Sequence, residues 1–179
     1  MYKKSLSEKN MTLTISNPND FTSDTLSEYT YILRKGGAVN VNEDRLASAA
    51  YWAIIKDEVT NKLAAAGSLK STAKNLPYYH NILGRYKAAL RQEFNTSDYP
   101  FDLGYIVTDS DFRKCGHCNM IIDSLLELVK DCGILATTQN QSIKNKLEIR
   151  GFKSQGAKWL ATDNGFINLY LRQRPDHAH

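Results

Sequence analysis

The residues best suited to chemistry lie in one short stretch, residues 111–118, whose sequence is DFRKCGHC. Three kinds of site fit these residue types. The two thiols could form a redox pair, the thiols and the imidazole could bind a metal ion, or the backbone N–H groups around Gly116 could bind a phosphate. The surrounding sequence distinguishes between these three interpretations.

Redox catalysis is disfavoured by the residues around Cys115 and Cys118. The tetrapeptide Cys-Gly-His-Cys is similar to the active site of protein disulfide isomerases, in which a helix N-terminus lowers the pKa of the first thiol. The thioredoxin fold usually places Trp before that thiol, where this chain has Lys114, and it needs a later cis-proline facing the dithiol. The only proline after Cys118 is Pro175. We therefore do not expect a redox site.

A zinc site is disfavoured because structural zinc sites usually draw a second pair of ligands from a separate segment. The sequence has no second Cys-x-x-Cys, and its other histidines, His80, His177 and His179, are isolated. The third cysteine, Cys132, is typical of a small core residue. We expect no metal.

A phosphate site needs a strand, a short loop with accessible N–H groups and a helix that begins at the loop. A helix N-terminus carries roughly half a positive charge and several unsatisfied donors. Gly116 would let a ligand approach the backbone closely, and Arg113 and Lys114 would supply cations. No Gly-x-Gly-x-x-Gly or P-loop motif is present, so the classes of nucleotide site with those motifs are not indicated.

Composition predicts an ordinary soluble protein. The chain has 179 residues and a formal charge of +4, which suits an anionic ligand but is weaker than expected of a dedicated nucleic-acid binder. No apolar run reaches the ~20 residues that span a membrane, and the first residues lack the apolar region of a signal peptide. We expect one domain over residues 1–172, a flexible tail over 173–179, and a cytoplasmic protein without membrane partners.

The pattern of apolar residues predicts a mixed α/β domain. Over Tyr51–Lys70 we prefer a strand hairpin to one long helix. Ser23 or Asp24 is expected to be the N-cap of a helix that ends at Gly36-Gly37, and a later helix is expected to bury Ile121, Leu125, Leu128 and Cys132. The other predicted elements are a strand at Leu13–Ile15, helices at Glu43–Ala50, Pro77–Phe94, Met120–Asp131 and Gln141–Arg150, strands at Leu103–Thr108 and Ile134–Thr138, and a hairpin of Trp159–Ala161 with Phe166–Leu171 about Asp163-Asn164-Gly165.

The order of these motifs resembles the GNAT superfamily of N-acetyltransferases. Arg113-x-x-Gly116-x-Cys118 looks like its acyl-CoA pyrophosphate loop, Arg/Gln-x-x-Gly-x-Gly/Ala, with Cys118 in place of the last small residue. Residues 136–140 and Gly151-Phe152 resemble the family's fifth strand and the end of its fourth helix. The resemblance covers roughly residues 50–172 and implies a mostly antiparallel central sheet, flanked by helices, whose fourth and fifth strands splay apart.

The resemblance also implies acetyl-CoA as co-substrate. Backbone groups of Ile106, Val107 and Thr108 would pair with the pantetheine arm. The pyrophosphate would be held by the N–H groups of the loop, and Asn140 would contact the pantetheine or its thiol end. The loop residues are Arg113, Lys114, Cys115, Gly116, His117 and Cys118. For His117 packing or surface contact is a simpler interpretation than titration.

The expected reaction transfers an acetyl group directly to a primary amine in a ternary complex. Asp102 is our candidate for the general base, with a solvated carboxylate as the alternative, and Tyr105 is a second catalytic candidate. Many relatives carry a Tyr acid on the fourth helix, where this chain has Leu147. The amine-bearing acceptor is not indicated by the sequence.

Other interpretations remain open. The segment Pro77–Phe94 interleaves aromatic residues with Arg85, Lys87 and Arg91, so a nucleic-acid-associated protein on the same scaffold is one alternative. A non-catalytic acyl-CoA sensor is another. The hairpin at Trp159–Leu171 could also pair across a homodimer.

Overall fold

The computed structural model describes residues 1–6, 10–37, 41–73, 96–160 and 165–175. The sheet has eight strands in the order β1-β2-β3-β4-β5-β6-β8-β7, and β5 pairs with β6 in parallel whereas β1–β2, β2–β3, β3–β4, β6–β8 and β7–β8 are antiparallel. This arrangement confirms the predicted mixed, mostly antiparallel fold. The elements are β1 Tyr2–Leu6, β2 Met11–Ser16, α1 Ser23–Lys35, α2 Glu43–Ala47, β3 Tyr51–Asp57, β4 Leu63–Ser71, β5 Phe101–Thr108, α3 His117–Leu128, β6 Ile134–Thr138, α4 Gln141–Glu148, β7 Lys153–Leu160 and β8 Phe166–Arg172.

The chain divides into two compact units. The first unit comprises residues 1–70 and 104–129, and the second comprises residues 71–103 and 130–179. The single domain over 1–172 and the flexible tail over 173–179 stay predictions. None of the helices in the described ranges is long and apolar enough to cross a bilayer.

The core of the first unit forms around Tyr29 and Leu33 of α1 and Trp52 of β3, all of which are buried. The helix α1 is capped by Thr22, whose side chain accepts a hydrogen bond from the Thr25 N–H at 3.3 Å. The predicted caps Ser23 and Asp24 are therefore wrong by one or two residues, because Ser23 is already helical. The predicted stop is confirmed, with Gly36 as the C-cap and a left-handed Gly37 after it.

The hairpin predicted over Tyr51–Lys70 is confirmed as β3 and β4, and the alternative of one long helix is wrong. Alanines favour a helix locally, but strands β3 and β4 bury almost every side chain from Trp52 to Lys70 outside the turn. At the turn, the Asp57 carboxylate accepts a hydrogen bond from the Val59 N–H at 2.9 Å. Tertiary burial has overridden the helix propensity of the alanines.

The helix α3 begins and ends three residues earlier than predicted. Its buried face consists of Ile121, Ile122, Leu125 and Leu126. The predicted place of Leu128 on that face is wrong, because Leu128 is the last helical residue and is 45% exposed. Cys132 lies beyond the helix and is half-buried.

In the second unit the short strand β6, the helix α4 and the hairpin of β7 with β8 confirm the predicted order. The helix α4 ends at Glu148 rather than Arg150, and Gly151 follows with a φ of 83°. The parallel pairing joins Phe101–Leu103 to Ile134–Ala136 and covers only the beginning of β5. Such short pairing is the feature expected of the two splayed strands. The predicted helix at Pro77–Phe94 and the turn residues Asp163 and Asn164 lie outside the described residues.

Candidate functional site

Strand β5 passes into the loop at residues 113–118 through a turn that Asp109 organises. The Asp109 carboxylate accepts a hydrogen bond from the Asp111 N–H at 3.0 Å and lies 2.9 and 3.2 Å from the Lys35 ammonium at the end of α1. Burial raises the pKa of Asp109, but the hydrogen bond from Asp111 and the charge of Lys35 outweigh it and leave that pKa below its ordinary value. The carboxylate is therefore charged at neutral pH and fixes the turn.

The loop itself contains two left-handed residues on either side of Cys115. Lys114 has a φ of 66° and Gly116 a φ of 78°, and α3 begins at the next residue. A Cβ at Gly116 would meet nothing within 4 Å, so the space beside this backbone is open. Successive N–H groups in such a conformation form a concave site that suits an anion.

The side chains of the loop are mostly in solvent. Arg113, Lys114 and Cys115 are exposed, and Cys118 is half-buried. His117 is buried, with its ring 6.5 Å from that of Phe112, so for this residue the packing interpretation agrees with the structure and surface contact does not. Its backbone still belongs to the first turn of α3.

The structure gives the state of the three cysteines and of the possible metal ligands. Cys115, Cys118 and Cys132 are all free thiols. Within the described ranges, no group of three or more His, Cys, Asp or Glu residues is placed to hold a metal ion.

Strand β5 has an unusual backbone at Tyr105, whose φ is 51°. The Tyr105 hydroxyl is buried and has no hydrogen-bond partner among the residues that the structure describes, and the same holds for the hydroxyl of Thr108. The Lys70 ammonium lies 4.8 Å from the centre of the Tyr105 ring. The side chain of Val107 belongs to the core, whereas Ile106 is half-buried. β5 thus carries two buried hydroxyls that a ligand could engage.

Asp102 and Asn140 belong to the second unit, whereas the other predicted site residues belong to the first. Asp102 is 2% exposed and lies opposite Leu135 in the sheet, so the alternative of a solvated carboxylate is wrong. Asn140 is exposed and caps α4, since its Oδ1 accepts a hydrogen bond from the Ile143 N–H at 3.2 Å. Leu147 is fully buried.

Two cavities flank these elements. One cavity, with a volume of about 290 Å³, lies in the first unit. It is bordered by Lys35 and by Asp109 and Phe112, and the latter two come just before the loop in the sequence. Another of about 490 Å³ in the second unit is bordered by Tyr99, Cys132 and other residues outside the predicted site. Of these two cavities in the described residues, the first adjoins the residues to which the sequence motifs point.

Sequence reasoning missed three residues that support this region. Lys35 is 74 positions away from its partner Asp109 along the chain. The Tyr29 hydroxyl donates a hydrogen bond to the Tyr105 carbonyl, 76 positions away, and the Ser68 hydroxyl donates one to the Gly104 carbonyl, 36 positions away. No local pattern could have indicated contacts between such distant positions.

Comparison with solved structures identifies the architecture. An acyl-CoA N-acyltransferase from Pseudomonas aeruginosa superposes with a TM-score of 0.66 at 12% identity, over 90% of this chain and 99% of that one. FeeM, an N-acyl amino acid synthase from uncultured soil microbes, gives 0.64 at 14% identity, over 93% and 92%. The NatC complex bound to Gag peptide and CoA gives 0.65 at 10% identity, over 90% and 98%.

The chain has the GNAT fold. In this GNAT fold β5 and β6 are the strands expected to splay, and α3 is the helix that follows the loop. No protein-family model matches the chain, and no curated protein matches it at a significant level. At these identities the likeness establishes the fold of the chain, and the reaction must be argued from its own residues.

Proposed function

We propose that this chain is an N-acyltransferase that moves an acyl group, with acetyl-CoA as the donor, to a primary amine by direct transfer in a ternary complex. The observation that carries the proposal is the pair of left-handed residues, Lys114 and Gly116, immediately before α3. The GNAT fold supports it, because the three neighbours named above are an acyl-CoA N-acyltransferase, an N-acyl amino acid synthase and a complex bound to CoA.

The loop supplies what a pyrophosphate needs. Backbone N–H groups around Gly116 and the positive end of the twelve-residue helix α3 would share its negative charge. Arg113 and Lys114 are exposed beside them and would neutralise further charge, including that of the 3′-phosphate. Because Gly116 has no side chain, the phosphate oxygens can reach the backbone.

The remaining groups would orient the donor and move protons. The donor supplies an activated thioester when bound, and the backbone of Ile106, Val107 and Thr108 would hold its pantetheine arm as an added strand, with Asn140 as a further polar contact. Asp102 would take a proton from the acceptor ammonium, since only the neutral amine is a nucleophile. The Tyr105 hydroxyl would give a proton to the departing sulfur.

The test is isothermal titration of acetyl-CoA into the wild-type chain and three variants. Gly116→Asp places a carboxylate where the pyrophosphate would lie, and Asp tolerates a left-handed φ better than most residues. We expect its Kd to rise roughly tenfold or more, about 1.4 kcal/mol. The Asn side chain of Gly116→Asn has nearly the same shape as Asp but no charge, so this variant should lose less acetyl-CoA affinity than Gly116→Asp.

The matched control is Gly151→Asp, because Gly151 has a φ of 83° and equally open space but follows α4. Its acetyl-CoA affinity should remain that of the wild type. Binding weaker than about 1 mM by the wild-type chain would rule the proposal out. Binding without thiol release in any amine screen would instead support an acyl-CoA sensor.

A further inference from the structure

The left-handed backbone of Tyr105 in β5 must be held by its surroundings. A non-glycine residue at a φ of 51° lies in a sparsely populated region, which costs on the order of 1 kcal/mol or more. Two side chains of the first unit contact the backbone at this point. The Tyr29 hydroxyl donates a hydrogen bond to the Tyr105 carbonyl at 2.8 Å, and the Ser68 hydroxyl donates one to the Gly104 carbonyl at 3.2 Å.

Both of these hydroxyls are inside the protein. Tyr29 and Ser68 have no exposed surface, and the Tyr29 ring packs edge-on against Trp52 at 5.5 Å. Burial raises the pKa of Tyr29 well above its ordinary value, although a hydrogen bond with Ser68 opposes part of this rise. The phenol therefore keeps its proton and remains a donor throughout the ordinary pH range.

The hydrogen bonds to the Gly104 and Tyr105 carbonyls determine where the neighbouring N–H groups point. In a regular strand successive carbonyls point to opposite sides, but here two consecutive carbonyls are bound by hydroxyls that adjoin each other. No peptide bond in the described chain is cis, so each N–H points away from the carbonyl of its own peptide unit. The N–H groups of Tyr105 and Ile106 consequently both point away from Tyr29 and Ser68.

We propose that Tyr29 and Ser68 are positioning residues, which hold β5 so that the N–H groups of Tyr105 and Ile106 are presented to the thioester end of the donor. This inference rests on the proposed function. The direction along β5 supports the assignment, because each residue of a strand rises about 3.3 Å and Tyr105 lies several residues from the loop that would hold the pyrophosphate. Val107 and Thr108, nearer to the loop, would hold the rest of the pantetheine arm, and Ile106 would lie where the arm joins the thioester.

The variant Tyr29→Phe keeps the aromatic packing and removes only the hydroxyl, and Ser68→Ala removes the second tether. We expect the Kd for acetyl-CoA to rise roughly fivefold or more in Tyr29→Phe, while the Kd for free CoA, which lacks the acyl group, changes less than about twofold. Ser68→Ala should likewise raise the ratio of the acetyl-CoA Kd to the free-CoA Kd. A purely structural loss would weaken both ligands equally.

Two hydroxyl deletions serve as controls. Tyr170→Phe removes another partly buried tyrosine hydrogen bond, to Glu148 at 3.1 Å in the second unit. Thr30→Val removes a buried hydroxyl next to Tyr29 that has no hydrogen-bond partner among the described residues. Neither should change the ratio of the two affinities. The proposal would be overturned if the ratio of the acetyl-CoA Kd to the free-CoA Kd were the same in Tyr29→Phe as in Tyr170→Phe.

Amide hydrogen exchange on the ligand-free chain separates this inference from the proposed function. In Tyr29→Phe the amides of residues 104–108 should exchange faster than in Tyr170→Phe, whether or not acetyl-CoA binds. Faster exchange together with no acetyl-CoA binding by the wild-type chain would refute the acyltransferase function and the positioning role that depends on it. The conclusion that the Tyr29 hydroxyl holds the backbone of β5 would still stand. Unchanged exchange would refute the claim that the Tyr29 hydroxyl holds the backbone of β5.

Discussion

Asp102 poses the sharpest question at the scale of single residues, because a carboxylate that is 2% exposed has lost most of its hydration. If Asp102 is the general base, Asp102→Asn keeps the shape of the side chain and removes the proton acceptor. We expect kcat to fall roughly 100-fold, since general-base catalysis typically contributes at least that much. The acetyl-CoA Kd should stay within about threefold of the wild type, unlike that of Gly116→Asp.

The measurement is thiol release with an amine found by an acceptor screen, combined with titration of acetyl-CoA. Asp131→Asn is the control, because Asp131 is an exposed carboxylate in the same unit as Asp102. If both variants had the same kcat, Asp102 would be a structural residue and another group would have to take the proton from the amine.

At the scale of elements, the link from α1 to the loop depends on one charged pair. Lys35 ends α1, and its ammonium lies 2.9 Å from the Asp109 carboxylate that fixes the turn before the loop. The folded-state pKa of Asp109 is lowered, so its stabilising contribution is present above the ordinary pKa of an aspartate and is lost as the pH falls through the folded value. The turn should therefore loosen in acid.

Asp109→Asn tests this link, since it keeps the shape of the side chain but removes the charge that Lys35 contacts. We expect the Tm of the variant to be lower than that of the wild type near neutral pH, and the difference to shrink below about pH 4. Thermal unfolding followed at several pH values measures this, with Lys35→Gln as a second way to remove the pair. A difference in Tm that does not depend on pH would show that the charge of Asp109 has no role in stability.

The sequence predicted elements better than it predicted their connections. The strands β3 to β6 follow from apolar runs, and the ends of α1 and α4 follow from Gly36, Gly37 and Gly151, all of which are local signals. The cap at Thr22 and the exposure of Leu128 were missed, because an element's end is fixed by hydrogen bonds and packing that residue type leaves ambiguous. The tethers at Tyr29 and Ser68 join distant positions and became visible only in the folded chain.

For the whole molecule, three glycines show which of its close contacts the fold requires. A Cβ at Gly133 would lie 2.0 Å from the backbone oxygen of Asp98, and one at Gly67 would lie 2.5 Å from a methyl group of Ile121. A backbone oxygen cannot move aside without displacing its segment, whereas a side chain can adjust in part. At Gly151 a Cβ would meet nothing within 4 Å, and only the positive φ opposes a side chain.

We therefore expect Gly133→Ala to destabilise the protein most, Gly67→Ala by about 1–3 kcal/mol, and Gly151→Ala by about 1–2 kcal/mol. Chemical denaturation with one common m-value would give the three free energies of unfolding. The order is the informative result, because it separates a backbone clash, a side-chain clash and a conformational cost. If Gly133→Ala were no less stable than Gly151→Ala, the close approach of the segment at Asp98 to the start of β6 would not be a feature of the folded chain.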